Sequence, residues 1–121
     1  AMKYYEQALV IRKQTLGDHH PDVANTLNNM AGVVYKQGEY NEALKYFEQA
    51  LAIREITLGE THETTGDTYH NIAMLYSSLQ QHNKAAECFY KAYLAFKHSY
   101  GEYHNKTRAA IQMYEQSIQM I

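Results

Sequence analysis

One line of this sequence is written twice, 42 residues apart. Residues 4–20 read "YYEQALVIRKQTLGDHH" and residues 46–62 read "YFEQALAIREITLGETH". Aligning residues 1–42 with residues 43–84 without a gap gives 17 identities, where unrelated segments of ordinary composition would share about two or three. An internal repeat of this length predicts similar structural units that stack on one another.

A third copy begins at Ala85 and keeps Gly101 and His104 in register before the chain stops. The 121 residues suffice for one core of useful size, so one repeat domain is the expectation. We expect it to be a piece of a longer solenoid, because its first and last helices are halves of a pair. The predicted repeats are residues 1–42, 43–84 and 85–121.

The apolar residues of each repeat follow the period of an α-helix. Leu27, Met30 and Val34 are spaced i, i+3 and i+7, and no stretch alternates as a strand would. Gly17 can end one helix, and Pro21 can open the next. The pattern predicts an all-α fold of six helices, in antiparallel pairs, at residues 2–16, 21–37, 40–58, 63–79, 83–99 and 105–120.

The doubled line is expected to form the stacking contacts between neighbouring pairs. Leu9 and Ile11 should therefore do at the first boundary what their repeat equivalents, Leu51 and Ile53, do at the second.

Charge and cysteine content exclude several classes of protein. Eleven Lys and Arg against 13 Asp and Glu give a net charge of −2, which provides no basic field for nucleic acid or an anionic membrane. The single Cys88 cannot form an internal disulfide, and no apolar run is long enough to span a bilayer. A reducing, cytoplasmic compartment is the simplest prediction.

The histidines and the cysteine invite chemical interpretations that weaken on inspection. His20, His62 and His104 recur one repeat apart at helix starts, which favours capping or loop packing over a shared metal ion. Cys88 lies within a helix and is interpreted as a packed thiol. The sequence contains no catalytic motif, so we predict no enzyme activity, no catalytic residue, no cofactor and no metal site.

The stretch "LNNMAGVVYKQGEYNEALKYFEQAL" at residues 27–51 resembles a tetratricopeptide repeat. The 42-residue period and the "LGDHHPDVANTLNN" segment resemble the kinesin light chain type of that family more than the commoner type of 34 residues. The resemblance covers essentially the whole chain. It implies a right-handed α-solenoid that binds other proteins.

In that family the first helix of each pair lines a concave groove, and an Asn of that helix commonly bonds the main chain of a bound peptide. Asn29 and Asn71 match this position, with local hydrogen bonding as the alternative role. The resemblance and helical spacing together predict a peptide-binding groove formed by Asn25, Asn28, Asn29, Tyr35, Lys36, Asp67, His70, Asn71, Met74, Ser77, Ser78, Gln112 and Gln116.

Two departures from the family limit what the groove can take. Only Lys36 among these positions is basic, which argues against an acidic peptide. Glu115 stands where Ala31 and Ala73 supply a small packing residue. Because a buried unpaired carboxylate is costly, that helix is expected either at a solvent-exposed end or under a covering helix that is not part of this chain.

Three functions remain open on the sequence. The leading one is a non-catalytic scaffold whose groove binds an extended peptide or a partner helix. The second is a self-assembling module, a homo-oligomer formed head-to-tail or by exchange of its terminal helices. The third is a regulatory domain that senses a small peptide.

Overall fold

The computed structural model describes residues 2–121, and residue 1, which opens the first predicted repeat, lies outside this range. The described residues form six α-helices and no strand, and each helix end lies within one residue of its predicted position. The helices are α1 (Met2–Leu16), α2 (Pro21–Lys36), α3 (Tyr40–Thr57), α4 (Glu63–Ser78), α5 (His82–Tyr100) and α6 (Asn105–Gln119).

Packing divides the chain into two compact units. Unit 1 is residues 1–57 and contains α1, α2 and α3, whereas unit 2 is residues 58–121 and contains α4, α5 and α6.

In unit 1 the core lies between α2 and α3. The predicted stripe of α2 is buried, with Leu27 and Met30 at 1% and 2% exposure. It packs against Ala50 and Ile53 of α3 in one cluster. Burial of each large side chain stabilises the fold by roughly 1.5–3 kcal/mol, so this pair of helices is the stable part of unit 1.

Helix α1 contributes much less to that core. Leu9 packs against the edge of the α2–α3 cluster, but no residue of α1 is buried. The prediction that Ile11 matches Ile53 is wrong, since Ile11 is 61% exposed and Ile53 is 5% exposed. Ile53 faces the first helix of its own pair, and within residues 2–121 α1 has no such partner.

In unit 2 the core lies between α4 and α5. Tyr69 and Ile72 are buried on α4, and the fully buried Phe89 of α5 packs in a cluster with Ala73. Cys88 packs against that cluster, as the sequence predicts for a structural thiol.

Three histidines begin three helices in the same way. His20, His62 and His104 are extended residues at the N-cap, and each Nδ1 accepts a hydrogen bond of 3.1 Å from the backbone N–H two residues later. This satisfies one of the donors that every helix start leaves unpaired. Pro21 is the first residue of α2. Gly17 directly follows α1 and has φ of +95°, a conformation that favours glycine. The capping role predicted for the histidines is confirmed.

Candidate functional site

The predicted binding residues of unit 1 all lie on α2, outside its buried stripe. Asn25, Asn29, Tyr35 and Lys36 are exposed, and Asn28 is half-buried. The Tyr35 ring leans against the ring of a neighbouring tyrosine at the start of α3, with 5.2 Å between centroids. The exposed face of α2 is thus polar, with one aromatic residue, Tyr35, at its C-terminal end.

A buried arginine lies behind this face. Arg54 of α3 is only 7% exposed, and its guanidinium donates to Oδ1 of Asn25 at 2.9 Å and to Oδ1 of Asn28 at 3.5 Å. Sequence reasoning missed this residue. The sequence offered one signal, since an arginine recurs at the same place in the repeat as Arg12 and Arg54. In the structure Arg12 also donates to α2, at the Thr26 hydroxyl.

In unit 2 the equivalent face belongs to α4, and a cation reaches it from α6. The Lys106 ammonium donates to Oδ1 of Asp67 at 3.1 Å. It also lies over the Phe96 and Tyr100 rings, 5.6 and 5.9 Å from their centroids. The hydrogen bond to Asp67 is the main reason that the pKa of Lys106 is raised. The positive charge of Lys106 is therefore fixed in position by Asp67. Sequence reasoning missed Lys106 too.

His70 lies one helical turn from Asp67 and is half-buried. Its ring meets the Phe89 ring edge-on, with 5.6 Å between centroids. Burial lowers the pKa of His70, and the Lys106 charge lowers it further, against an opposing effect of Asp67. Near neutral pH the imidazole is uncharged and can both donate and accept a hydrogen bond.

Two cavities lie along α4 and α6 in unit 2. A cavity of about 160 Å³ is lined by Asp67, His70, Phe96, Lys106 and Ala109. A larger one, about 330 Å³, is lined by Ser77, His82, Met113, Gln116, Ser117, Gln119 and Met120. The structure thus brings Asp67 together with His70, and Ser77 together with Gln116, as walls of small, nearly neutral cavities.

The other predicted residues of unit 2 line neither cavity. Met74, Ser78 and Gln112 are exposed, and Asn71 is half-buried. Within residues 2–121, no side-chain hydrogen bond involves Asn29 or Asn71. Local hydrogen bonding, the alternative role for these two asparagines, is therefore not observed.

Glu115 points into solvent, so α6 buries no carboxylate at the position of the small residues in α2 and α4.

Among residues 2–121 no group of three or more His, Cys, Asp or Glu side chains is placed to hold a metal ion. Over the same residues, none of the helices has the length and apolar character required to cross a membrane.

Paired helices with a repeated packing stripe, and polar residues beside that stripe, define a helix-pair repeat protein. Residues 1–56 and 22–98 match the tetratricopeptide repeat, so the chain belongs to the tetratricopeptide repeat family. The predicted all-α, helix-pair fold class is confirmed. Among curated proteins, none matches the sequence of this chain significantly.

Solved structures with a similar fold include kinesin light chain repeats. A putative kinesin light chain of Podosopora anserina, described as nearly identical TPR-like repeats, is 23% identical with a TM-score of 0.84, covering 98% of this chain and 56% of that one. BtubC (BKLC) from P. vanneervenii is 18% identical with a TM-score of 0.76, covering 99% of this chain and 52% of that one. This chain thus spans about half the length of these proteins, and at these identities the likeness concerns the fold.

Proposed function

We propose that this chain is a non-catalytic scaffold that binds an extended peptide, or a helix of a partner protein, on the exposed face of α2 in unit 1 or of α4 in unit 2. Repeats of this family are generally protein–protein interaction modules. The observation that carries the proposal is the pair Asn29 and Asn71. Both stand at the same place in the repeat, are accessible, and have no hydrogen-bonding partner within residues 2–121.

The chemistry of the faces fits a ligand recognised mainly through its main chain. An amide side chain offers both a donor and an acceptor, so it suits a peptide main chain of any sequence. In unit 2 the Asp67–Lys106 pair cancels its own charge, and no Asp, Glu, Lys or Arg lines the larger cavity. We therefore place uncharged rather than acidic side chains in the ligand.

The test is selection of binders from a display library of random linear peptides. Asn29→Ala should weaken a selected peptide that binds unit 1, and Asn71→Ala one that binds unit 2, each by roughly two- to tenfold, the cost of one hydrogen bond, while the helical content stays the same. Asn41→Ala, which changes an exposed amide of α3, is the matched control and should leave affinity unchanged. Equal binding by all three variants would place the peptide elsewhere.

Sedimentation of the same samples separates the remaining possibilities. A peptide that makes the chain more compact would favour a peptide-sensing regulatory role. The place of action that we propose is a reducing, cytosol-like compartment, since the chain has one cysteine and no disulfide.

Self-association is a second candidate, and exposed apolar residues at two places favour it. On α6, Ile118 is 45% exposed, although its equivalent on α2, Val34, is 2% exposed. On α1, Ile11 is exposed where Ile53 of α3 is buried. Pairing of α6 in one molecule with α1 in another would cover both.

Sedimentation velocity across a concentration series tests this second function. Association that weakens in Ile11→Lys and in Ile118→Lys alike would support it. A single monomeric boundary at all concentrations would exclude it.

A further inference from the structure

Arg54 determines which atoms of two asparagines can face a ligand. A guanidinium carries only N–H donors, so whatever it bonds must accept. Oδ1 of Asn25 and Oδ1 of Asn28 both accept from Arg54. Each amide must therefore turn its Nδ2 group, which carries two N–H donors, away from the arginine.

Within residues 2–121, the side chains of Asn25 and Asn28 make no hydrogen bond other than those with Arg54, so their outward donors have no side-chain partner there. The charged side chains of α2 do not compete with a ligand's acceptors. Lys36 on the same helix offers only further donors, and the only carboxylate of α2 is Asp22 in its first turn.

We propose that Arg54 is a positioning residue that turns the exposed face of α2 into a row of N–H donors. The ligand of this face is then an extended peptide whose main-chain carbonyl groups accept hydrogen bonds from Asn25 and Asn28. This inference rests on the proposed function, which it extends from the binding of a peptide to the atoms of the peptide that are recognised.

The spacing of the donors suits such a ligand. Helix residues three apart have side chains about 5–6 Å apart. In an extended chain, carbonyl groups on the same side recur every second residue, about 6.6 Å apart. Asn25 and Asn28 can therefore bond two successive carbonyl groups on one side of the same peptide.

Asn29 differs in a way that sharpens the inference. It is exposed and not bonded to Arg54, so its amide can turn to offer either its donors or its acceptor. Only the two asparagines that Arg54 contacts are committed to donating.

Conversion of asparagine to aspartate tests this commitment in the full chain. Asn25→Asp and Asn28→Asp keep an acceptor for Arg54, and the charged bond is the stronger one, so folding should be preserved. Neither aspartate can donate to the peptide. Each variant should bind a library-selected peptide roughly tenfold more weakly, which corresponds to about 1.4 kcal/mol. Asn41→Asp introduces the same charge on α3 and should change affinity less than about twofold.

A double-mutant cycle tests whether Arg54 acts through the amide orientation. In an Arg54→Gln background the asparagines are free to turn, since glutamine both donates and accepts. The loss caused by Asn28→Asp should then shrink to about threefold. If the affinity losses caused by Arg54→Gln and by Asn28→Asp instead simply add in the double variant, Arg54 only supports the fold and the positioning role is refuted.

The outcomes separate this inference from the proposed function. If no selected peptide depends on Asn29 or Asn71, the proposed function itself is wrong. If such a peptide exists and Asn25→Asp and Asn28→Asp bind it as the parent does, only the donor row is wrong. If changing the peptide's own acidic residues to amides abolishes binding, side-chain carboxylates are the acceptors and the main-chain assignment is overturned.

Discussion

Positions 25 and 28 of unit 1 recur one repeat later as positions 67 and 70 of unit 2, and the two units hold them differently. Asn25 is bonded from behind by the buried Arg54, which belongs to the second helix of the same pair. Asp67 is bonded by Lys106, which belongs to α6, the first helix of the next pair. The repeat has kept a polar position and its cationic partner, but it has moved the cation to another helix.

A compensating exchange in the core accompanies this move. Phe96 stands in unit 2 where Arg54 stands in unit 1, and Gly66 stands where Ala24 does. A Cβ on Gly66 would lie 2.9 Å from both the Ala95 Cβ and the Phe96 ring. The glycine therefore makes room on α4 for both Ala95 and the Phe96 ring of α5.

Gly66→Ala should destabilise unit 2 where α4 contacts α5, and it should have the largest effect of the variants considered. Alanine favours a helix over glycine by about 1 kcal/mol, but the overpacked methyl costs about 1–3 kcal/mol. Because the added methyl would meet two atoms at 2.9 Å, we take the upper end of that cost and expect a net loss of about 2 kcal/mol in the free energy of unfolding, measured by urea denaturation. Gly32→Ala in α2 is the control, because nothing lies within 4 Å of its added Cβ, and it should stabilise the chain. Stabilisation by both variants would refute the exchange.

The histidine caps, in contrast, should contribute equally to the stability of the two units. His20→Ala in unit 1 and His62→Ala in unit 2 each remove one side-chain cap and should each cost about 1 kcal/mol of unfolding free energy. Asparagine is a good N-cap residue, so His20→Asn and His62→Asn should restore most of the loss. If the two alanine variants lose clearly different amounts of unfolding free energy, the caps contribute differently to the two units despite their shared geometry.

The smallest effect is expected for His70→Asn, which places in unit 2 the residue that unit 1 has at the equivalent position, Asn28. The pKa of His70 is lowered in the folded chain, chiefly by burial. Below the ordinary histidine pKa of about 6.5, the unfolded chain binds more protons at this site than the folded chain does. The free energy of unfolding therefore falls as the pH drops from that value towards the lowered pKa.

His70→Asn should remove this part of the acid sensitivity. The comparison is the difference in unfolding free energy between parent and variant, measured near neutral pH and again at mildly acidic pH, so that contributions common to both proteins cancel. A difference that is independent of pH would contradict the lowered pKa.

The helices and their caps could be predicted because both are local. A 3.6-residue period sets each helix, and Gly17, His20 and Pro21 mark a helix boundary within a few residues of sequence. The prediction failed at Ile11, which repeats a buried isoleucine but lacks the neighbour that buries the other copy. Identical letters predict identical structure only when their surroundings also repeat.

The candidate site was predicted as positions on helices and missed the residues that hold those positions. Arg54 and Lys106 reach Asn25 and Asp67 from other helices. Periodicity along one helix gives the direction of its own side chains but not the reach of a long side chain from the next. The amide orientation at Asn25 follows from such a crossing contact, and for that reason no pattern within α2 could reveal it.

The Gly-x-x-His segments have one more consequence, for how such a chain can grow or shrink. Gly17, Gly59 and Gly101 have φ of +95°, +92° and +92°, and each stands three residues before a capping histidine. A break and rejoining at any two of these glycines would regenerate the same loop, with the same cap, around a different number of helices. Recombination or gene duplication at this point therefore changes the chain by whole repeats, and no new junction has to evolve.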